Sequence, residues 1–202
     1  MRVLFASLFL PCVLLSCSTT TGIDPLADYA EVDAATILDA PRPQPGQSAP
    51  ERRDLAFRGQ YLVELLGCGA CHTDGALLGL PDRERSLAGS QIGIAWSNPL
   101  GDKYPGIVYA PNITPDIKTG IGRWSDMDIA RAVRTGIGRH GGASIEVMPW
   151  PAYNKISDDD IEAITAYLRS IKPIVHRVPD NVAPGHPATA PFVYFGVYQS
   201  RH

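Results

Sequence analysis

Cysteine is scarce in this sequence, with four residues among 202, at positions 12, 17, 68 and 71. A single close pair leaves a zinc site without its second half, and no β-α-β pattern surrounds it to suggest a thioredoxin-like dithiol. Runs of positive charge are also missing. Lys and Arg number 18 against 21 Asp and Glu, a net charge of -3, so the concentrated basic surface that nucleic acid requires is absent. The one long apolar run, Val3 to Leu15, is too short for a stable membrane span. Nor does any acid/base pair, nucleophile or substrate pocket stand out. Methionine is limited to three residues, which narrows any choice that depends on a thioether.

Glycine and proline, by contrast, are plentiful at 19 and 18. Much of the chain is therefore expected to be loop and turn, with few strands. With 45% hydrophobic residues, the chain can hold one domain plus appendages.

The two paired cysteines stand in Cys68-Gly69-Ala70-Cys71-His72. Two thiols separated by two residues, with histidine directly after the second, are what covalent haem attachment needs. Each sulfur adds to one vinyl group, and the histidine is left facing the iron.

Covalent haem attachment is done outside the cytoplasm, and the N-terminus points to the same compartment. Arg2, the apolar run and the small residue Ser16 read as an export signal over residues 1–16. Leu14-Leu15-Ser16-Cys17 also resembles a bacterial lipoprotein processing box, which would leave Cys17 acylated; an ordinary secretory signal cut a few residues later is the alternative. With Cys12 removed, Cys17 lipidated and Cys68 and Cys71 on haem, no cysteine remains for a disulfide. Residues 17–50 read as a tether that closes in Pro41-Arg42-Pro43-Gln44-Pro45-Gly46-Gln47-Ser48-Ala49-Pro50. Its reach is roughly 30 Å as coil and up to about 100 Å as extended polyproline.

Three helices are expected in the region that follows, residues 51–178. The first runs from Asp54 to Leu66, with Leu55, Phe57, Tyr61, Leu62, Leu65 and Leu66 as its apolar face, and Gly67 ends it. Gly59 in its interior costs about 1 kcal/mol relative to alanine, which close approach of another helix would offset. The second, Asp126 to Thr135, starts at Ser125 with Asp128 in the capping position and stops at Gly136. The last starts at Ser157 with Asp158, Asp159 and Asp160 at the positive end of its dipole, buries Ile161, Ile164 and Leu168, and is stopped by Pro173. Residues 179–202 form a proline-rich tail with an aromatic run at 191–198, expected either to pack across the domain or to dock a partner.

A haem iron held by His72 needs a sixth ligand. With Met1 removed, Met127 and Met148 are the thioether candidates, and His140, His176, His186 and His202 the nitrogen alternatives. Met148 is favoured, because Glu146-Val147-Met148-Pro149-Trp150-Pro151 is a rigid, proline-bounded loop just before the last helix, whereas Met127 stands among acids at a helix start.

Together, Cys-x-x-Cys-His, Tyr109-Ala110-Pro111-Asn112-Ile113-Thr114-Pro115-Asp116, Gly120-Ile121-Gly122-Arg123-Trp124-Ser125-Asp126 and Met148-Pro149 resemble class I c-type cytochromes, particularly the cytochrome subunits of periplasmic alcohol and sugar dehydrogenases. The likeness covers roughly residues 55 to 178. It implies a mainly α fold, a single cytochrome c domain with long Gly/Pro-rich loops wrapped round one haem c, His72 proximal and Met148 distal. Those subunits often carry three such domains, where this sequence has one motif. Tyr109, Asn112, Trp124 and Arg134 are candidate propionate or haem-packing residues.

The expected function is single-electron transfer on the periplasmic side of a bacterial membrane, anchored through Cys17. The donor would be a quinol-oxidising complex or dehydrogenase, and the acceptor a terminal oxidase or other redox protein. The alternatives are a haem subunit fixed within a larger respiratory or dehydrogenase complex, and a haem-based ligand sensor or peroxidase.

Overall fold

The computed structural model describes residues 27–32, 52–99, 101, 103–138 and 147–196. The expected signal, Cys17, most of the tether, His140 and His202 lie outside the described residues. The chain divides at Ala30 into two compact units. Of the first, only a turn at 27 and 28 and its two following residues are described; all that follows concerns the second.

Helix α1 spans Arg53–Leu65 and α5 spans Asp158–Ser170, and they pack on each other as the main helical contact. The buried face of α1 is Ala56, Gly59 and Val63, a stripe at helical spacing made of small residues. A Cβ at Gly59 would lie 1.9 Å from the Ala163 carbonyl oxygen and 2.7 Å from Tyr167 Cβ. The glycine is therefore what allows the two backbones to touch. The expected apolar face of α1 needs correction here: Phe57, Tyr61 and Leu65 are 56%, 62% and 64% exposed, because contact at this distance selects the small residues rather than the large ones. Tyr167 and Ile164 of α5, with Val63, Ile129, Ile161 and Leu168, form the core of this half.

Between these helices, α3 spans Asp126–Thr135 with the expected boundaries. Ser125 Oγ accepts from the Asp128 N–H at 3.1 Å and Asp128 Oδ2 accepts from the Ser125 N–H at 3.0 Å, a reciprocal cap that satisfies two otherwise unpaired donors. Gly136 closes α3 with φ 70°, the left-handed region open to glycine. One further short helix, α4 (Trp150–Tyr153), precedes α5, and Tyr153 Oη donates to Leu66 O at 2.7 Å.

Away from the helices, β1 (Gly93–Ala95), β2 (Ile107–Val108) and β3 (Phe192–Tyr194) form a sheet in the order β2-β1-β3. β1 and β2 are antiparallel, with Ile94 opposite Val108; β1 and β3 are parallel, with Ile94 opposite Val193. The proline-rich tail thus supplies a strand to the domain. Ala95, Ile107 and Tyr109 are buried beneath Val178, Val182, Phe192 and Tyr194 as a second, smaller core. Among the described residues no helix is long and apolar enough to cross a membrane.

Candidate haem site

Gly67, with φ 66°, turns the chain out of α1 and straight into α2, Cys68–His72. Nothing approaches the position where its side chain would be, so the backbone angle is the reason for glycine. A single helical turn then carries both thiols and the imidazole, with Cys71 and His72 three and four residues after Cys68 and so on its face. Neither cysteine is in a disulfide. Burial pushes the Cys68 thiol up to about 12 and raises that of Cys71, so both are protonated thiols in the bare protein.

His72 is buried. Its Nδ1 lies 2.8 Å from the Pro111 carbonyl oxygen. A carbonyl can only accept, so Nδ1 carries the proton and Nε2 holds the free lone pair. Burial, more than the opposing Pro111 bond, keeps the imidazole below its usual pKa and therefore neutral. A neutral imidazole with one nitrogen fixed and the other free is the form that ligates a metal.

The Pro111 carbonyl is itself held. Gly89 N–H donates to His72 O at 2.9 Å, Ser90 N–H to Ala110 O at 3.0 Å and Ile113 N–H to Leu87 O at 3.0 Å, so residues 87–90 clasp the histidine turn on one side and 110–113 on the other. Leu87 N–H also donates to Thr73 Oγ1 at 3.1 Å. Asn112 braces the loop from within. Its Oδ1 accepts from Thr114 N–H and Oγ1 at 2.9 and 2.7 Å, and its Nδ2 donates to Thr119 Oγ1 at 3.0 Å and Ile174 O at 2.7 Å.

Three of the sequence candidates make hydrogen bonds within the protein. Asn112 has both amide hydrogens engaged inside the protein. Tyr109 Oη donates to Ala190 O at 3.1 Å in the sheet core. Arg134 donates to Ile156 O and Asp158 Oδ1, both at 2.7 Å from Nη2, tying α3 to the start of α5. Trp124 is half-buried against the helical core. Met127 is 78% exposed and Met148 half-buried in the turn before α4. His176 has Nδ1 2.8 Å from Ala88 O and Nε2 3.3 Å from Gln91 Nε2, so both of its ring nitrogens are occupied.

Two features escaped sequence reasoning. The Pro111 carbonyl carries no side-chain signature, although a proline, lacking an N–H, leaves only its carbonyl to bond. The other is Trp150, whose buried Nε1 has no hydrogen-bond partner. Free thiols on one turn, a histidine with a single open nitrogen and a buried donor awaiting an acceptor together fit a covalently held haem. Among the described residues no group of three or more His, Cys, Asp or Glu is placed to hold a metal ion.

Residues 56–172 match the cytochrome c family model. The chain belongs to the cytochrome c family. As a cytochrome c domain it carries covalently bound haem c, and its mostly helical fold with a small sheet is that of one such domain. It is 37% identical over 129 residues to the cytochrome c subunit of a quinone-dependent alcohol dehydrogenase from Gluconobacter oxydans (strain 621H), covering 62% of this chain and 24% of that protein. It is 34% identical over 146 residues to a fructose dehydrogenase cytochrome subunit from Gluconobacter japonicus, covering 71% and 27%. A diheme cytochrome c-type protein of Cereibacter sphaeroides is 38% identical over 134 residues, covering 64% and 38%. This cytochrome domain thus spans about a quarter of the first two relatives and well under half of the third.

Proposed function

We propose that the chain is a one-electron carrier holding a single haem c, with His72 and Met148 as axial ligands. We further propose that it works as the cytochrome component of a periplasmic dehydrogenase assembly. The observation that carries the redox reading is the Pro111 bond to His72 Nδ1, which leaves Nε2 as the one open nitrogen beside the two thiols. When bound, the haem supplies an iron that gains and loses one electron, and thioether ligation raises its potential relative to a second histidine. The protein's own part is to hold His72 in one tautomer, exclude water from it and fix Met148 in the proline-bounded turn.

The single Cys-x-x-Cys-His supports one haem. Relatives named as dehydrogenase cytochrome subunits support fixed membership of a complex over a shuttle moving between a separate donor and acceptor. Cys17, lipidated, would anchor the chain and residues 17–50 would span the gap to the haem domain. Trp124 is kept as a haem-packing candidate.

The test is the visible spectrum of the periplasmically matured protein, oxidised and reduced, with carbon monoxide added to the reduced form, beside Met148→Ala. Six-coordinate low-spin haem that ignores carbon monoxide in the parent and binds it in the variant is expected. Ready binding by the parent would turn the assignment toward a ligand sensor or peroxidase. Purification of the full chain from membranes together with a dehydrogenase subunit is the outcome expected for a fixed component, and its isolation alone would restore the shuttle.

A further inference from the structure

The loop that aims the Pro111 carbonyl is backed by the stretch that leaves α5, residues 172–177, and the two together carry an exposed face. His176 is buried and Ile174 half-buried, while Val175 between them is 67% exposed. His176 N–H donates to Thr119 Oγ1 at 3.0 Å, which sets the turn at 116–119 alongside, with Ile117 57% exposed. Lys118, Lys172 and Arg177 are exposed in the same two segments. Asp116 is the only acid in either. It is buried, and its Oδ1 accepts from the N–H groups of Lys118 and Thr119 and from the Thr119 hydroxyl. The face is therefore apolar at its centre and positive at its rim, on a chain whose net charge is -3. It is also bonded to the histidine. His72 Nδ1 donates to Pro111 O at 2.8 Å, and the next residue, Asn112, donates from Nδ2 to Ile174 O at 2.7 Å. Two hydrogen bonds and one side chain thus join the imidazole to the backbone beside Val175.

We propose that the face centred on Val175 and Ile117 docks an acidic redox protein, and that one electron is exchanged there by way of His72, Pro111 and Asn112. An apolar centre enclosed by a charged rim is how protein contacts are built, and rim cations steer a partner of opposite charge into place. Electrons cross bonded contacts more readily than an equal gap without them, so the hydrogen-bonded link behind the face gives docking there a redox consequence. The iron changes between ferrous and ferric as the partner's own centre takes or gives the electron. No bond is made or broken and no proton moves. A second copy of this chain does not fit, because two positive rims would meet. The inference rests on the one-electron carrier reading and is independent of whether Met148 is the sixth ligand.

The test uses the haem-loaded full chain, with plastocyanin, an acidic blue-copper protein, as the probe. With both proteins reduced, plastocyanin is expected to shift the backbone amide resonances of Ile117, Lys118 and residues 172–177 and to leave those of the Met148 turn in place. With cupric plastocyanin, the ferrous cytochrome is expected to lose one electron as the copper gains it. Lys118→Glu, Lys172→Glu and Arg177→Glu combined are expected to slow that reaction at least about tenfold. The rates are compared at about 0.1 M ionic strength, where charges more than about 10 Å from a contact are screened. Arg53→Glu, Lys103→Glu and Lys155→Glu combined make the same change in net charge at other exposed positions, and are expected to leave the rate within a factor of about two. The amide shifts decide the matter if the first variant fails to mature. Shifts confined to the Met148 turn, no shifts at all, or equal slowing by the two combined variants would overturn the proposal. So would phosphatidylserine vesicles that move the 172–177 amides where plastocyanin leaves them still, since that assigns the face to lipid. A ferrous protein that hexacyanoferrate(III) does not oxidise would instead overturn the carrier reading itself. One that it oxidises, but whose 172–177 amides ignore plastocyanin, overturns only this inference.

Discussion

The crossing of α1 and α5 and the cradle around His72 are both buried, yet they are held by opposite means. At the crossing, small residues let two helices meet backbone to backbone, and Gly59 lies against Ala163 with no space for a single added carbon. At the cradle, Thr73, Asn112, Thr114 and Asp116 are buried polar residues, and they hold the chain through hydrogen bonds between loops with little regular structure. The first arrangement tolerates no extra volume. The second tolerates no missing partner, because each donor or acceptor left behind is buried without water.

Gly59→Val attacks the first directly and should have the largest effect. With 1.9 Å between the added carbon and Ala163 O, the helices must separate, at an expected cost of about 3 kcal/mol or more. Thermal unfolding of the haem-loaded protein measures it, and an unchanged midpoint would mean that the helices do not meet at Gly59. Asn112→Ala attacks the second. It leaves Thr114 N–H, Thr119 Oγ1 and Ile174 O short of a partner and should cost about 2 to 3 kcal/mol in urea unfolding; a loss below half a kilocalorie would show that water replaces the amide. Tyr153→Phe removes one bond, Oη to Leu66 O, where α4 meets the approach to the cysteines. About 1 kcal/mol is expected, with the visible spectrum unchanged.

The smallest effect is the most specific. Thr119 hydroxyl and N–H, with help from Lys118, hold the Asp116 carboxyl below its usual range. A group depressed in the folded state contributes stability that is present above its unfolded pKa and lost as pH falls through the folded one. Acid unfolding should therefore begin below about pH 4 in the parent, and Asp116→Asn should flatten that part of the curve, lowering stability modestly at pH 7 and meeting the parent in acid. Identical acid limbs in the two proteins would count against the carboxylate as a cradle element.

How legible each region was in the sequence follows from the same contrast. The attachment turn, the limits of α3 and the helix-contact role of Gly59 could be read directly, because motif spacing, a Ser/Asp cap closed by glycine, and a glycine in a helix interior are local signals. The buried face of α1 could not. Periodicity ranks positions by apolar size, and here close approach selected Ala56 and Gly59 while Phe57, Tyr61 and Leu65 stayed outside. The cradle was less legible still. A backbone carbonyl such as that of Pro111 has no residue type of its own, and the loop that aims it is braced by Asn112 through partners as distant as Ile174. The pairing of Ile94 with Val193 joins residues about a hundred positions apart, beyond the reach of any local pattern.

That wide separation also orders events in time. The haem cysteines are made early, but the helix that packs on α1, α5, and the strand that completes the sheet, β3, come from the last quarter of the chain. Contacts this distant in sequence cannot form until nearly the whole protein has been made. Until then α1, which leads into the attachment turn, has no α5 to pack on, so Cys68 and Cys71 stand on an unfinished fold before Ala163 arrives against Gly59.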